Sequence, residues 1–171
     1  ISAGAWSVKY FGYESAMRRF AQAYRQLPPV EMQKVDTPLD TVVVRWVRRE
    51  GRRYVAAINR TPFDQPVRID GKTLDLRPFG MQSVVDSAND SPKVTGRPSI
   101  AYRKWLMDRA DEFSTQVKLA AQTSEDMAAP YERAMRRGLA LLEAGRYYAA
   151  DLALGHGLLN ELKLRQEIVR P

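Results

Sequence analysis

Hydrophobic and polar positions recur with two different periods along this chain, and the changes of period divide it. Residues 1–11, ISAGAWSVKYF, are apolar with small residues at the start, and Gly12 breaks the run. Tyr13, Met17, Phe20, Ala21 and Tyr24 then mark one face of an amphipathic helix, with Arg18, Arg19 and Arg25 on the other side. Leu27-Pro28-Pro29 ends it, because a residue before proline is pushed out of the α region. From 41 to 87 the period is two. Val42, Val44 and Trp46 share one face of a first strand; Val43, Arg45 and Val47 share the other. Tyr54, Ala56 and Ile58 alternate with Val55, Ala57 and Asn59 in a second, and apolar residues on both faces predict cover on two sides. Glu50-Gly51 suits a hairpin loop and Thr61-Pro62-Phe63-Asp64 a turn. Shorter strands are predicted at 67–70 and 73–76 around Asp70-Gly71, and a last one at 81–85.

Residues 86–98, DSANDSPKVTGRP, are polar and turn-rich, and 91–98 is assigned as a linker. Beyond it the period becomes helical. Tyr102, Leu106, Ala110, Phe113, Val117 and Ala120 mark one face, with Ser99 as N-cap. Pro130 suits the first position of a second helix, Gly145 its stop, and a final helix from Arg146 carries Tyr148, Leu152, Leu159 and Leu162. The fold class predicted is α+β: an N-terminal helix, a small antiparallel β-sheet or sandwich over 36–90, and a three-helix unit over 99–171. Gly145-Arg146-Tyr147-Tyr148-Ala149-Ala150 resembles the turn of a tetratricopeptide repeat. No second copy follows at about 34 residues, so an ordinary helical hairpin is the simpler reading.

Composition narrows the chemistry. The chain of 171 residues is 44% hydrophobic, enough for a packed core, and no apolar run approaches the ~18 residues of a membrane span. It has no Cys, which removes disulfides, thiol catalysis and Cys-based metal sites. The net charge of +7 is concentrated: residues 41–99 hold 11 basic and 6 acidic side chains, chiefly Arg45, Arg48, Arg49, Arg52 and Arg53 on one hairpin. Such a cluster could meet phosphate. No aromatic platform or helix-turn-helix pattern accompanies it, so exposed strand faces and a turn kept soluble are the favoured reading, and nucleic acid ranks last among the partners considered.

His156 is the only histidine, in Leu154-Gly155-His156-Gly157, and there is no Gly-x-Ser-x-Gly elbow for it to serve, so a structural or surface role is expected. The carboxylates scatter: Asp36 and Asp40 in a connection, Glu50 and Asp64 in turns, Asp108, Asp111 and Glu112 on a solvated helix face, Glu14 at a helix start. No phosphate loop and no metal signature is present, so neither cofactor nor metal is expected. Trp6 reads either as a core residue at the end of a buried strand or as a platform for a sugar ring. No residue presents itself as catalytic.

Taken in order, residues 1–87 resemble the end of a (β/α)8-barrel glycoside hydrolase. Ile1–Trp6 would be the eighth barrel strand and Tyr13–Leu27, with Phe20-x-x-x-Tyr24-Arg25-x-Leu27-Pro28, the last barrel helix, so that 1–35 completes a barrel-like domain. Glu31–Val35 would link to an appended sandwich at Thr41–Ser87. The resemblance implies a catalytic acid and nucleophile on earlier strands, a sugar-contacting role for Trp6, and a secreted or periplasmic location. The helical tail has no counterpart in it. A start at Ile1 rather than Met, with no charged-then-apolar leader, leads to the expectation of a processed product, a fragment or an engineered piece. The partners expected are the remainder of a parent enzyme or another protein chain, together with carbohydrate. The alternative function is a helical protein-interaction module on a β scaffold.

Overall fold

A computed structural model describes residues 14–169, and the chain divides into two compact units at Arg97–Pro98. The strand expected at 1–6 lies outside the described residues. The first described element of the first unit is α1 (Glu14–Arg25), the helix expected from the Met17–Phe20–Tyr24 spacing. Seven strands follow: β1 (Gln33–Val35), β2 (Val42–Arg49), β3 (Arg52–Asn59), β4 (Gln65–Ile69), β5 (Lys72–Leu76), β6 (Met81–Asp86) and β7 (Val94–Thr95). They form a four-stranded sheet in the order β1-β2-β3-β6 and a three-stranded sheet in the order β5-β4-β7, with every pairing antiparallel.

The two tight hairpins follow from their turn residues. Glu50 and Gly51 (φ 52° and 76°) join β2 to β3, and Asp70 and Gly71 (φ 49° and 82°) join β4 to β5. Positive φ at both central positions matches the right-handed twist of the flanking strands, and Gly adopts it without a Cβ clash. Period-two alternation then fills the space between the sheets. Val42 and Val44, Val55 and Ala57, Val67 and Ile69, and Leu76 are all buried there, with Val94 beside them. The segment assigned as a linker thus contains β7, which pairs Thr95 with Arg68 and Val94 with Ile69. The link at 31–35 likewise holds β1, antiparallel to β2.

The second unit is helical: α2 (Ile100–Thr123), α3 (Glu125–Glu143), α4 (Tyr147–Ala153) and α5 (His156–Val169). All six residues expected on the buried face of α2 are buried. Ser99 stands at its N-cap, where its carbonyl accepts from the Arg103 N–H at 3.0 Å and its side chain makes no cap bond. Pro130 does not open the second helix. Ser124 caps α3, its Oγ accepting from the Met127 N–H at 3.3 Å, and Glu125 and Asp126 occupy the first turn, where carboxylates suit the helix dipole. Pro130 sits within α3, where its missing N–H removes the intrahelical bond to the Asp126 carbonyl.

The final helix is interrupted at Leu154-Gly155, so the unit has four helical segments among the described residues. The carbonyl of Leu154 accepts from Arg109 Nη2 at 2.8 Å, and the Leu158 N–H turns to the Gly155 carbonyl at 3.0 Å. Gly138 lets α3 approach this break: a Cβ there would lie 2.5 Å from Leu154 Cγ. No helix among the described residues is long and apolar enough to cross a membrane.

Candidate functional site

The polar chemistry of the first unit is organised along β3. Its inward positions are Arg53, Val55, Ala57 and Asn59, so two buried apolar residues stand between two buried polar ones. At about 3.3 Å per residue the polar pair lies roughly 20 Å apart, one at each end of the strand. Each ties the two sheets together.

Asn59 does so at the far end. Its Nδ2 donates to the carbonyls of Phe63 (2.6 Å), Arg77 (2.9 Å) and Leu76 (3.3 Å), and its Oδ1 accepts from the Thr61 N–H and Oγ1 at 2.9 Å each. Buried carbonyls where β5 ends are thereby satisfied from β3.

Arg53, 3% exposed, does so at the near end. It stands opposite Asp86 in the β3–β6 register, and its Nε and Nη2 donate to the two Asp86 oxygens at 2.9 and 2.6 Å. Nη2 also reaches Asp70 Oδ2 on the β4–β5 turn at 2.6 Å, and Nη1 donates to the Asp90 carbonyl at 3.0 Å. The carboxylates in turn hold the strap after β6: Asp86 Oδ1 accepts from the Ala88 N–H at 3.0 Å and Asp70 Oδ1 from the Lys93 N–H at 2.9 Å. The hydrogen bonds from Arg53 hold the Asp86 carboxyl below its usual range, and those carboxylates raise the already high Arg53 pKa against the opposing effect of burial. A cleft of about 620 Å³ runs alongside, lined by Arg53, Lys72, Asp86 and the strap.

This arrangement is a crosslink. A carboxylate held ionised, with both oxygens already accepting, does not give up a proton at neutral pH. Glycoside hydrolysis asks instead for two carboxyl groups facing open space, one of them protonated. Among the described residues, Glu50, Asp64 and Glu112 each meet a basic side chain rather than a second carboxylate. Glu50 stays on the hairpin turn against Arg49, Asp64 lies 3.8 Å from Arg77, and Glu112 pairs with Lys163. Asp108 and Asp111 are exposed. No group of three potential metal ligands occurs among the described residues.

A second buried arginine lies in the helical unit. Arg109, 5% exposed, donates to Asp151 Oδ1 at 2.8 Å and lies 5.0 Å from the centre of the Trp105 ring. Tyr102 donates its hydroxyl to Asp151 Oδ2 at 2.8 Å, and its ring stacks on Trp105. Sequence patterning places Arg53 among the exposed hairpin arginines and passes over Arg109, although the signal for burial is present. Arg53 continues the alternation Asn59, Ala57, Val55, and Arg109 falls on the stripe of Tyr102, Leu106 and Phe113. The Arg cluster of the hairpin is correspondingly divided: Arg45, Arg49 and Arg52 lie on the outer face, while Arg53 is spent inside.

Trp6, the proposed sugar contact, lies outside the described residues. His156 begins α5. Another tryptophan has the more open setting. Trp46, half-buried on the inner face of β2, borders a shallow cleft of about 560 Å³ with Gln33, Lys34, Asp36, Ser91 and Lys93. On the outer side, α1 lies on β6, with Ser83 Oγ donating to Gln26 Oε1 at 2.6 Å and a groove of about 300 Å³ between them. Set against known proteins, the chain matches no family profile, no curated protein and no solved structure.

Proposed function

We propose that this chain is a non-catalytic C-terminal part of a carbohydrate-active enzyme of the glycoside hydrolase kind, supporting a catalytic domain that lies elsewhere. The observation that carries the reading is the exposed apolar face of α1. Met17 is 58% exposed and Tyr24 64%, although their spacing with Phe20, which borders the groove beside β6, is that of a core-facing stripe. A helix that carries its large apolar residues outward, beside an antiparallel sandwich on its other side, suits the last helix of a barrel whose remaining elements would cover it. The internally satisfied Arg53 and Asn59 clamps fit a supporting role, since they spend their polar groups on cohesion.

Replacing Met17 and Tyr24 by Lys tests this. The isolated chain should keep its stability to within about 0.5 kcal/mol, because both side chains already face water. A loss of more than about 1 kcal/mol in urea unfolding would mean that the chain itself uses the face, and would remove the main support for the reading.

The runner-up, a helical interaction module, draws on a different observation. Ile100 and Met107 lie one heptad apart on α2 and are both exposed. A direct competition would show it: M107K would leave the sandwich intact and abolish capture of a protein partner by the helical unit.

A further inference from the structure

The geometry points to the outer face of the four-stranded sheet as a binding surface for single-stranded nucleic acid, a function separate from the supporting role above. The strand register fixes which side chains share that face. Lys34 stands opposite Arg45, and Arg49 opposite Arg52, on the side away from the buried Val44 and Val55. Between these two pairs runs an uncharged row, Val47, Tyr54 and Val85, aligned across β2, β3 and β6. At about 3.3 Å per residue, each cationic pair lies about 7 Å from the uncharged row along β2.

α1 takes the other end of the face. Gln26, just past its last residue, meets Ser83, and the groove between helix and strand extends to Met81 and Gly80. Ala56 and Met81 are buried at that end, whereas Val85 is 41% exposed and Lys34, Arg45, Arg49 and Arg52 are all exposed.

The charges on the sheet ask for an anion. Its strands carry Lys34, Arg45, Arg48, Arg49, Arg52 and Arg53 against Asp86 alone, and Asp86 turns inward to Arg53. Among the described residues, only Arg49 of the four outer cations meets a carboxylate, that of Glu50 in the turn. Solubility alone is served by charges of both signs interspersed. Like charges directly opposite one another also destabilise an antiparallel pair. Both cationic pairs therefore cost the sheet stability until an anion sits against them.

The alternation of rows selects among anions. A single strand alternates phosphates with flat bases, as the face alternates cations with the Val47–Tyr54–Val85 row. Arginine, which supplies Arg45, Arg49 and Arg52 here, binds phosphate through two parallel N–H groups and also lies flat on bases. A duplex keeps its bases stacked away from a flat sheet, and an acidic peptide offers no flat face between its charges. From sequence, nucleic acid ranks last for want of an aromatic group among the arginines; the register places Tyr54 there.

The experiment is a fluorescence-anisotropy titration of the full chain with labelled dodecathymidylate, a labelled duplex of the same length and labelled polyglutamate, at several salt concentrations. Dodecathymidylate should bind most tightly. Its log affinity should fall against log salt with a slope of about −3, as expected for four phosphates neutralised on a single strand. The double variant Arg45→Gln, Arg52→Gln should lower affinity about tenfold and bring the slope to about −1.5. Each change removes one of two facing like charges, so the unfolding midpoint should hold or rise. Should the double variant unfold, Lys34→Gln on the short β1 repeats the charge test outside the hairpin. Tyr54→Leu keeps an apolar side chain in the row and should weaken dodecathymidylate binding while leaving any polyglutamate binding unchanged. No binding, a slope near zero, indifference to these substitutions, or equal or tighter binding of duplex or polyglutamate would overturn the proposal. The supporting role rests on α1 and would survive that result.

Discussion

Among the described residues the two units each bury one arginine, and they use it differently. In the sandwich Arg53 binds two carboxylates from different strands and turns, and all its donor nitrogens are engaged. In the helical unit Arg109 binds one carboxylate and one carbonyl, stacks on Trp105, and leaves its Nε without a partner. The difference lies in what each architecture leaves unsatisfied. Helices satisfy their own backbone except at their ends, so Arg109 is needed at one place, the carbonyl of Leu154 where α4 stops. A two-sheet sandwich must bring distant turns together, so Arg53 joins residues 17, 33 and 37 positions away. Charge in the first case terminates a helix; in the second it closes a fold.

This contrast can be broken at its strong end first. Arg53→Met should destabilise the sandwich by about 3–5 kcal/mol, because it strands the partly buried Asp70 and Asp86 carboxylates, as urea unfolding would show. Arg109→Met should cost less, about 2 kcal/mol, and only in the helical transition, since Asp151 keeps its bond from Tyr102. Equal losses would erase the distinction. Gly138→Ala should destabilise the helical unit by about 1–3 kcal/mol through its clash with Leu154, and leave the sandwich unmoved.

The dependence on pH sharpens the same point. The folded-state pKa of Asp86 is depressed by Arg53, so its stabilising contribution is complete above the ordinary value of 3.8 and is lost as pH falls below it. Sandwich stability measured between neutral pH and acid should therefore decline below that value, and Arg53→Met should flatten the decline. The smallest effect should come from the exposed pair Glu112–Lys163, where Glu112→Gln should change stability by no more than about 0.5 kcal/mol.

Much of this fold was legible from residue patterns because local rules and tertiary packing agree. The Val42–Val44 and Val55–Ala57 alternations, the Glu50-Gly51 and Asp70-Gly71 turns and the Tyr102–Ala120 stripe each lie where sequence periodicity places them. Part of what escaped has non-local determinants. Val94-Thr95 is too short to show a period and becomes a strand only by pairing with β4. The last helix breaks at Leu154-Gly155, where Arg109, 45 residues away, takes the Leu154 carbonyl. Pro130 misled because proline at the start of a helix is the commoner case, whereas Ser124 provides the cap. The candidate site was the least legible part. Trp46 reads from sequence as a strand residue among valines, and only the fold sets it beside Asp36 and Lys93.

The central claim is that the chain supports chemistry without performing it. The most direct measurement is release of nitrophenol from a panel of aryl glycosides by the purified chain alone. The account predicts no release above buffer. Release that survives repurification, and that disappears on replacing carboxylates of this chain, would contradict it.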